Sequence, residues 1–397
     1  MRMRCLWLTA ADPVPEINGQ YIYSGRLIEA VARAGASVDV LCLARPGSDR
    51  RDGDDDGTVR WWLTQGALRR HPASLLSGLP NVAFRTATPA MRLRLEALLE
   101  RERWACIVVD GISVGWAMRT IRRRFPTGAK GPPVVYIAHN HEESLRAALA
   151  RNQRNPLLRP LYHADAAKVG RLERALVDQA DLVTAITPDD CARYLARRPD
   201  KRVLVLSPGY GGPRVPERTI TADLPRRVVL VGSFDWVAKR MNVEEFLAAA
   251  DPIFAAAGIE LQIVGGGSPD FMRRLRRRSA AATLVGQVES VQPYIDRARL
   301  AIVPERTGGG FKLKVLDYVF NRLPIAALTH AVSGVPLRAN DSILLYADHR
   351  SLALGVRDAI DDLSLLNRLH ASAFAACADR FDWASRGRGL IDAMTAL

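Results

Sequence analysis

Short apolar runs rich in β-branched residues alternate with helix-like segments along the whole 397-residue chain. A stretch rich in glycine and proline at 208–216 separates two series of such runs. The predicted strands are 5–10, 38–44, 59–64, 107–110, 134–139, 182–187 and 203–207 in the first series, and 228–232, 261–264, 283–285, 300–303, 325–328 and 343–346 in the second. Strands buried on both faces read as continuous apolar runs, as parallel sheets covered by helices require. The pattern predicts an α/β chain of two doubly wound, Rossmann-like domains joined near residue 210.

Segments with helical spacing, such as 24–34, 91–101 and 169–179, lie between the predicted strands. The chain is longer than the roughly 250–300 residues at which a single core stops growing, so two domains are also expected from length. Ligands of doubly wound sheets bind beyond the carboxyl ends of the strands. The sequence therefore predicts a ligand site in a central cleft that the two domains face.

Arginine dominates the charge of this chain. There are 56 basic and 42 acidic side chains, for a formal net charge of +14, and only six of the basic residues are lysines. Residues 1–210 hold 32 of the basic and 22 of the acidic side chains, so most of the surplus lies in the first half. Such an excess favours an acidic partner: nucleic acid, an anionic membrane surface or a phosphorylated small molecule. Composition alone does not choose among the three.

The five cysteines have no CxxC spacing and several lie inside apolar runs, which favours buried thiols in a reducing cytosol. No stretch reaches the ~18–20 apolar residues of a membrane span, and the first residues read as a strand rather than a signal peptide. We therefore expect a cytoplasmic protein.

The acidic run at 52–56 contains DxD and resembles the start of a calcium loop, but Leu63 stands where that loop needs a glutamate. It is interpreted as a solvated turn, not as a metal site.

Several enzyme classes lack their motif here. The chain has no GxGxxG at its first strand, no GxxxxGK[ST] and no GxSxG, which disfavours dehydrogenases, P-loop nucleotidases and hydrolases of the nucleophile-elbow type. No helix-turn-helix or zinc-finger pattern occurs, so only charge supports binding of nucleic acid.

The most informative stretch runs from residue 303 to residue 325, VPERTGGGFKLKVLDYVFNRLPI. A strand ends, glycines 308–310 offer free backbone N–H groups, and a helical pattern begins near Lys312, an arrangement that binds anions. Lys312 and Lys314, two of only six lysines, place their ammonium groups where a pyrophosphate would lie. Asp317 follows Lys314 by three residues on the same side of the helix, and a carboxylate there can accept hydrogen bonds from ribose hydroxyls.

At these residues the sequence resembles the group 1, family 4-like retaining glycosyltransferases of GT-B fold, whose donor motif is E-x7-E. One variant of the motif reads G-x-K/R-x-K-x-L-E, and 310–317, GFKLKVLD, is similar to it. Residues 229–234 and 261–266 resemble the start of the donor domain, and 139–142, HNHE, resembles an H-N-x-E of the acceptor domain. A further family pattern, glutamate followed by A-D-x-V-x-x-[ST], resembles Glu173 with 180–187, where the threonine falls one residue later than in the pattern. The likeness extends over nearly the whole chain.

The resemblance implies roles for the matching residues. Asp317 would hold the ribose, Lys312 and Lys314 the diphosphate, and His139 would face the donor sugar. The implied residues are, for catalysis, His139, Lys239 and Lys314; for the donor, Ser233, Lys239, Glu305, Gly309, Gly310, Phe311, Lys312, Lys314 and Asp317; and for the acceptor side, Asn18, Gly19, His141 and Glu142. Neither a metal nor a cofactor is implied, since lysines and N–H groups would stabilise the departing nucleotide.

Three features depart from the family pattern, and one of them is the first loop, which keeps Asn18, Gly19 and Gly25 but has no GG pair. The first glutamate of E-x7-E falls at Gly309, so the usual contact to the donor sugar is absent and Glu305 is the candidate substitute. Ser233 stands where many relatives have an arginine. These departures leave open an alternative function, a non-catalytic GT-B subunit that binds a nucleotide or a partner enzyme. Two site residues also have structural interpretations: His139 as a satisfied strand-end histidine and Glu142 as a helix cap.

The resemblance predicts three parts of the chain: residues 1–207 bind the acceptor, 208–380 bind the nucleotide sugar, and 381–397 form a helix that crosses back to the first domain. The expected enzyme is a hexosyltransferase of bacterial polysaccharide or glycolipid assembly. It would use a nucleoside diphosphate sugar, a UDP-sugar in preference to a GDP-sugar, and transfer the sugar with retention to a saccharide or lipid-linked acceptor. The basic first half suits a peripheral position at the inner face of the membrane, with 68–84 as docking loop. Nucleic acid is not expected as a partner.

Overall fold

The computed structural model describes residues 2–65, 71–128, 131–153, 155–234, 236–306 and 309–397. The chain forms two compact units, which we call unit 1 (Met1–Gly209 with Asp382–Leu397) and unit 2 (Tyr210–Phe381). Each unit is a parallel sheet covered by helices, with a hydrophobic core of its own.

The strands are β1 Arg4–Ala11, β2 Ser37–Leu43, β3 Val59–Thr64, β4 Cys106–Asp110, β5 Val134–Ala138, β6 Leu182–Ala185, β7 Val203–Val205, β8 Arg227–Val231, β9 Glu260–Val264, β10 Ala282–Gly286, β11 Leu300–Val303, β12 Ile325–Leu328 and β13 Leu344–Tyr346. The α-helices are α1 Gly19–Arg33, α2 Asn81–Thr86, α3 Pro89–Arg101, α4 Ala117–Arg124, α5 Glu142–Arg151, α6 Arg159–Gln179, α7 Pro188–Arg197, α8 Val237–Ala257, α9 Pro269–Arg276, α10 Gln292–Asp296, α11 Leu313–Phe320, α12 His349–Ala359, α13 Leu363–Cys377 and α14 Trp383–Thr395. Two short 3-10 turns lie at His71–Ser74 and Ile112–Val114.

The sheet of unit 1 has the strand order β3-β2-β1-β4-β5-β6-β7, and that of unit 2 the order β10-β9-β8-β11-β12-β13. All neighbouring strands pair in parallel, and every residue of β4, β5, β11 and β12 is buried. Complete burial explains why these strands read as unbroken apolar runs. The prediction of two doubly wound α/β sheets is confirmed, and each predicted strand has a counterpart whose ends differ by two residues or fewer.

Helix α14, near the C-terminus, packs within unit 1 against α1. Its Gly387 faces the Ala30 carbonyl so closely that a Cβ there would lie 2.2 Å from the oxygen. The first residue of the helix, Trp383, lies against Gly209, where a Cβ would be 2.5 Å from the indole Cγ. Two glycines therefore allow α14 to approach the rest of unit 1 at backbone distance.

The turns after β8 and β9 in unit 2 are held together by glycines. Gly265 has a φ of +134°, and its N–H donates to the Gly286 carbonyl at 2.7 Å. A Cβ on Gly265 would lie 1.7 Å from the Gly232 oxygen, a distance that neither backbone can relieve without moving. Phe234 N–H donates to the Gly266 carbonyl at 2.7 Å, which fixes the two turns to each other.

We expect Gly265→Ala to lower the free energy of unfolding by about 3 kcal/mol or more, because it combines backbone strain with overpacking against Gly232. Gly286→Ala is the matched control: its φ is +91°, but no heavy atom lies within 4 Å of the added Cβ. Urea unfolding of both variants separates the two effects. Equal losses in the two variants would show that the approach to Gly232 contributes nothing.

Candidate active site

The strand order of each sheet reverses at one point, where a ligand crevice is expected. In unit 2 the reversal lies between β8 and β11, and in unit 1 between β1 and β4. The predicted donor residues lie in the loops after β8 and β11 or in the helices that follow them, and two predicted acceptor-side residues lie at the start of the helix after β1. The topology thus brings together, within each unit, residues that are far apart in sequence.

The loop between β11 and α11 lies at the strand-order reversal of unit 2 and carries the first of the two predicted phosphate lysines. Lys312 is the N-cap of α11, and its Nζ donates to the carbonyls of Gly309 at 2.6 Å and Gly310 at 3.3 Å. Gly310 adopts a φ of +66°, a left-handed conformation that favours glycine. The first N–H groups of α11 and the Lys312 ammonium therefore share one corner of the loop.

Lys314 and Glu305 form an ion pair with little access to solvent, the two side chains being 13% and 12% exposed. Lys314 Nζ contacts Glu305 Oε1, whereas Glu305 Oε2 is buried and has no hydrogen-bond partner among the described residues. Burial alone would raise the pKa of Glu305, but the neighbouring Lys314 and Lys312 hold it below its usual value. The carboxylate therefore stays ionised and fixes the position of the Lys314 ammonium group.

The other predicted donor residues surround the same crevice. Ser233 lies in the turn after β8, and Lys239 lies on the first turn of α8. Asn242, one turn further along α8, accepts a hydrogen bond from the Arg306 N–H at 3.0 Å and so fixes the loop after β11 to this helix. The Phe311 ring packs on Phe381 with centroids 5.7 Å apart. Glycine 308 lies outside the described residues.

Asp317 occupies the second turn of α11, close to the Tyr210 hydroxyl. Burial raises the pKa of Asp317 from its usual value of 3.8 to about 6, and interaction with Tyr210 partly opposes that increase. The Tyr210 ring itself stacks on Phe320 at 4.6 Å. Lys314 pairs with Glu305, and no basic side chain among the described residues pairs with Asp317.

In unit 1, His139 follows β5 and meets Asp110, the last residue of β4. His139 Nε2 lies 2.6 Å from Asp110 Oδ1, and the Trp7 indole N–H donates to Asp110 Oδ2 at 3.0 Å. Burial alone would raise the pKa of Asp110, which is 0% exposed, but His139 and Trp7 hold it below its usual value. An ionised carboxylate only accepts, so His139 Nε2 donates and Nδ1 is the nitrogen left to contact a ligand.

Asp110 was missed as a site residue, although it ends a predicted strand. Its position beside the strand-order reversal of unit 1 marks Asp110 as a candidate site residue. That position is known only once β1 is seen to pair with β4. Gly111 follows with a φ of +90°, and a Cβ there would lie 3.1 Å from His139 Cδ2. The sequence Asp110-Gly111 therefore provides both the carboxylate and the space for the imidazole.

The predicted acceptor-side residues have local structural roles. Asn18 is the N-cap of α1 and accepts from the Tyr21 N–H at 3.1 Å, and Gly19 is the first residue of that helix. His141 is the N-cap of α5, with Nδ1 3.3 Å from the Ser144 nitrogen. The interpretation of Glu142 as the cap is therefore wrong by one residue: Glu142 begins the helix, and its carboxylate accepts from Asn140 and Arg146.

The matching pattern at Glu173 and 180–187 also has a structural explanation. The buried Glu173 carboxylate accepts from the N–H groups of Glu142 at 2.9 Å and Glu143 at 2.7 Å, at the start of α5. Burial raises the pKa of Glu173 to about 7, although these bonds and the Tyr194 hydroxyl oppose the increase. Asp181 accepts from the Val134 N–H at 2.7 Å and so fixes the start of β5. Together these carboxylates hold the strand and helix that flank His139.

The acidic run at 52–56 is a turn whose carboxylates bind local partners. Asp56 accepts from the Val59 N–H at 2.7 Å, Asp55 pairs with Arg60, and Asp52 pairs with Arg94. No cluster of three or more histidine, cysteine or acidic side chains suited to a metal occurs among the described residues.

None of the helices in the described ranges is both long and apolar enough to cross a membrane.

Two family models match the chain in sequence. The glycosyl transferase 4-like domain matches residues 18–209, and the glycosyl transferases group 1 domain matches residues 225–362. Together they cover more than four fifths of the chain. The protein therefore belongs to the group 1 glycosyltransferases, with a first domain of the glycosyl transferase 4-like type.

Solved structures with the same architecture cover the whole chain. Sucrose-phosphate synthase from Thermosynechococcus elongatus has a TM-score of 0.72 at 20% identity, over 100% of this chain and 99% of its own. HepE from Anabaena, in complex with UDP and glucose, has a TM-score of 0.65 at 13% identity over 100% of both chains. An E. coli structure described as trehalose-6-phosphate bound with UDP-2-fluoro glucose has a TM-score of 0.66 at 13% identity over 99% of both. The fold is thus GT-B. A search of curated protein sequences found no match.

Proposed function

We propose that this glycosyltransferase moves a sugar from a UDP-sugar to an acceptor hydroxyl with retention at the anomeric carbon. The observation that carries the proposal is the loop between β11 and α11, where Lys312 and Lys314 lie at the N-terminus of α11, beside the strand-order reversal of unit 2. Uridine is favoured as the base because HepE is described in complex with UDP and the E. coli structure with UDP-2-fluoro glucose. We further propose a saccharide or lipid-linked acceptor in bacterial polysaccharide or glycolipid assembly.

The proposed chemistry follows from the charges of the loop. Transfer breaks the bond between the anomeric carbon and the β-phosphate oxygen, whose electron pair leaves with UDP. The acceptor oxygen forms the new bond to the anomeric carbon, and its proton passes to the departing β-phosphate oxygen. Lys312, Lys314 and the N-terminus of α11 stabilise the charge that grows on the β-phosphate, with Lys239 as a third cation. Because side chains provide this charge, we propose that the reaction needs no metal and that EDTA leaves the rate unchanged.

His139 is proposed to face the sugar during transfer. Asp110 holds Nε2, so the ring presents Nδ1 beyond the carboxyl ends of β4 and β5. Asp317 is proposed to accept from the ribose hydroxyls, since no basic side chain in the described ranges pairs with it.

The second candidate is a non-catalytic subunit that binds nucleotide, favoured by Gly309 in place of a glutamate. Calorimetry with UDP, GDP and dTDP, followed by a panel of UDP-sugars with membrane extracts as acceptor source, distinguishes the two candidates. We expect UDP to bind most tightly and one UDP-sugar to release UDP. Nucleotide binding without release of UDP from any sugar would favour the subunit, and absence of nucleotide binding would contradict both.

The raised pKa of Asp317 predicts that UDP affinity falls as the pH decreases through about 6, because the protonated carboxyl is a weaker acceptor for the ribose. The free energy of unfolding depends on pH in the opposite direction. Between about pH 4 and 6 the folded state takes up a proton that the unfolded state does not, so protonation favours folding. Calorimetric titration with UDP from pH 5 to 8, in wild type and Asp317→Asn, measures the first effect. Parallel pH curves in the two proteins would contradict the assignment, since titration of UDP itself is common to both.

A further inference from the structure

The N-terminal half of α6 has no fully buried side chain, and exposed leucines lie at its start. Fully buried residues in this 21-residue helix begin at Val169, three turns after its start at Arg159. Leu157 and Leu158, just before the helix, are 83% and 42% exposed, and Leu161 is 44% exposed. Helix α5 packs against α6, yet the three leucines keep these exposed fractions, so their apolar side chains remain in contact with solvent.

A second exposed segment lies against the same half of α6. Leu75 and Leu76 are 54% and 97% exposed. Lys168 on α6 donates from Nζ to the carbonyls of Ser74 at 2.9 Å and Leu75 at 3.2 Å. Leu161 precedes Lys168 by seven residues on the same helix face, so about 10 Å of helix separates them.

Asp165 adds another link between the two segments, because its carboxylate accepts from the Asn81 N–H at 2.7 Å. We call the five residues Leu75, Leu76, Leu157, Leu158 and Leu161 the leucine surface. Its members come from two segments that are about 80 residues apart in sequence. Part of the predicted docking loop, residues 68–70, lies outside the described residues.

The charges around the leucine surface are positive. Arg159 adjoins Leu158, and Arg171 follows Lys168 by one turn; both arginines are exposed and form no ion pair with a described residue. The single acidic side chain on this half of α6, Asp165, is already bonded to the Asn81 N–H. Exposed leucines bordered by unpaired cations match an anionic bilayer, in which acyl chains take the leucines and headgroups take the cations.

We propose that unit 1 docks on an anionic membrane through the leucine surface, with Arg159 and Arg171 at the level of the headgroups. Exposed leucines on two adjoining segments can insert side by side into the interface without any change of fold. The inference deepens the proposed function by naming where the transferase works. It depends on unit 1 alone, so vesicle binding and UDP binding can fail separately.

Flotation with vesicles tests the proposal. Wild-type protein is expected to float with vesicles that contain phosphatidylglycerol, and much less with pure phosphatidylcholine. Leu76→Asp with Leu157→Asp is expected to reduce binding at least tenfold, because aspartate replaces two highly exposed leucines and adds negative charge. Leu93→Asp is the matched control: Leu93 is 67% exposed on α3 of the same unit but does not belong to the leucine surface. UDP affinity should be the same in all variants.

Three results would overturn the inference: no flotation of wild type, equal flotation with neutral vesicles, or equal losses in the control and the double variant. Loss of self-association in the double variant, with no vesicle binding by wild type, would instead identify the surface as a contact between two copies. Raising the salt from 0.05 to 0.5 M should release the wild type, since exposed cations are screened. Retention at high salt would count against the role of the arginines.

Discussion

Replacing Asp110 by asparagine is expected to lower kcat about a hundredfold, because loss of orientation at a reacting centre has costs of that order. The fully buried carboxylate is the partner of His139 Nε2 and holds the imidazole with Nδ1 outward. An asparagine presents either its oxygen or its NH₂ group to Nε2, so the proton on the ring is no longer fixed. UDP affinity should be unchanged, since the residues proposed to hold UDP lie in unit 2. Steady-state kinetics with calorimetry measures both quantities.

Asp39→Asn is the control for Asp110→Asn. Asp39 is also buried in unit 1, accepts from an indole N–H, that of Trp62 at 2.9 Å, and pairs with a cation, Arg4. It lies near the amino end of β2, whereas Asp110 ends β4. Its substitution should lower stability and leave kcat near the wild-type value. Equal effects of the two substitutions on kcat would show that Asp110 acts only through stability.

The two sheets could be predicted because parallel strands covered on both faces leave a strong signal. The runs at β4 and β11 contain almost nothing but apolar residues, and complete burial is the cause. Strand ends were less well predicted where capping competes. Residues 186 and 187 continue the β-branched run of β6, but Thr187 accepts from the Asp190 N–H and caps α7. A side-chain hydrogen bond to the backbone determined that boundary, and an apolar pattern does not reveal it.

The candidate site was only partly accessible from sequence. Local spacing identified Lys312 and Lys314, because a helix start and its lysines are neighbours along the chain. Asp110 depends on strand order, and the pairing of Glu305 with Lys314 depends on how the loop folds back on α11. Likewise, Glu173 matched a family pattern, but its bonds to the start of α5 appear only in three dimensions. A sequence pattern does not reveal contacts between residues that are distant along the chain.

Substitution of Lys314, the partner of Glu305, is the second change for which we expect a large effect on ligand binding and stability. Lys314→Ala is expected to weaken UDP binding about 10- to 100-fold, since charge-assisted hydrogen bonds are worth roughly 1.5–3 kcal/mol. The same change leaves the Glu305 carboxylate buried without its cation, and breaking a buried pair costs about 3 kcal/mol or more of unfolding free energy. Calorimetry and urea unfolding measure the two losses on one preparation.

A double variant separates the two roles of Lys314. Glu305→Gln combined with Lys314→Ala removes the unpaired charge, so most of the lost stability should return. UDP affinity should stay low, because the ammonium group that meets the diphosphate is still missing. Glu305→Gln alone should bind UDP at least as well as wild type, since Lys314 is then no longer neutralised by a carboxylate. If the double variant bound UDP as wild type does, Lys314 would serve only to neutralise Glu305, and the phosphate assignment would be wrong.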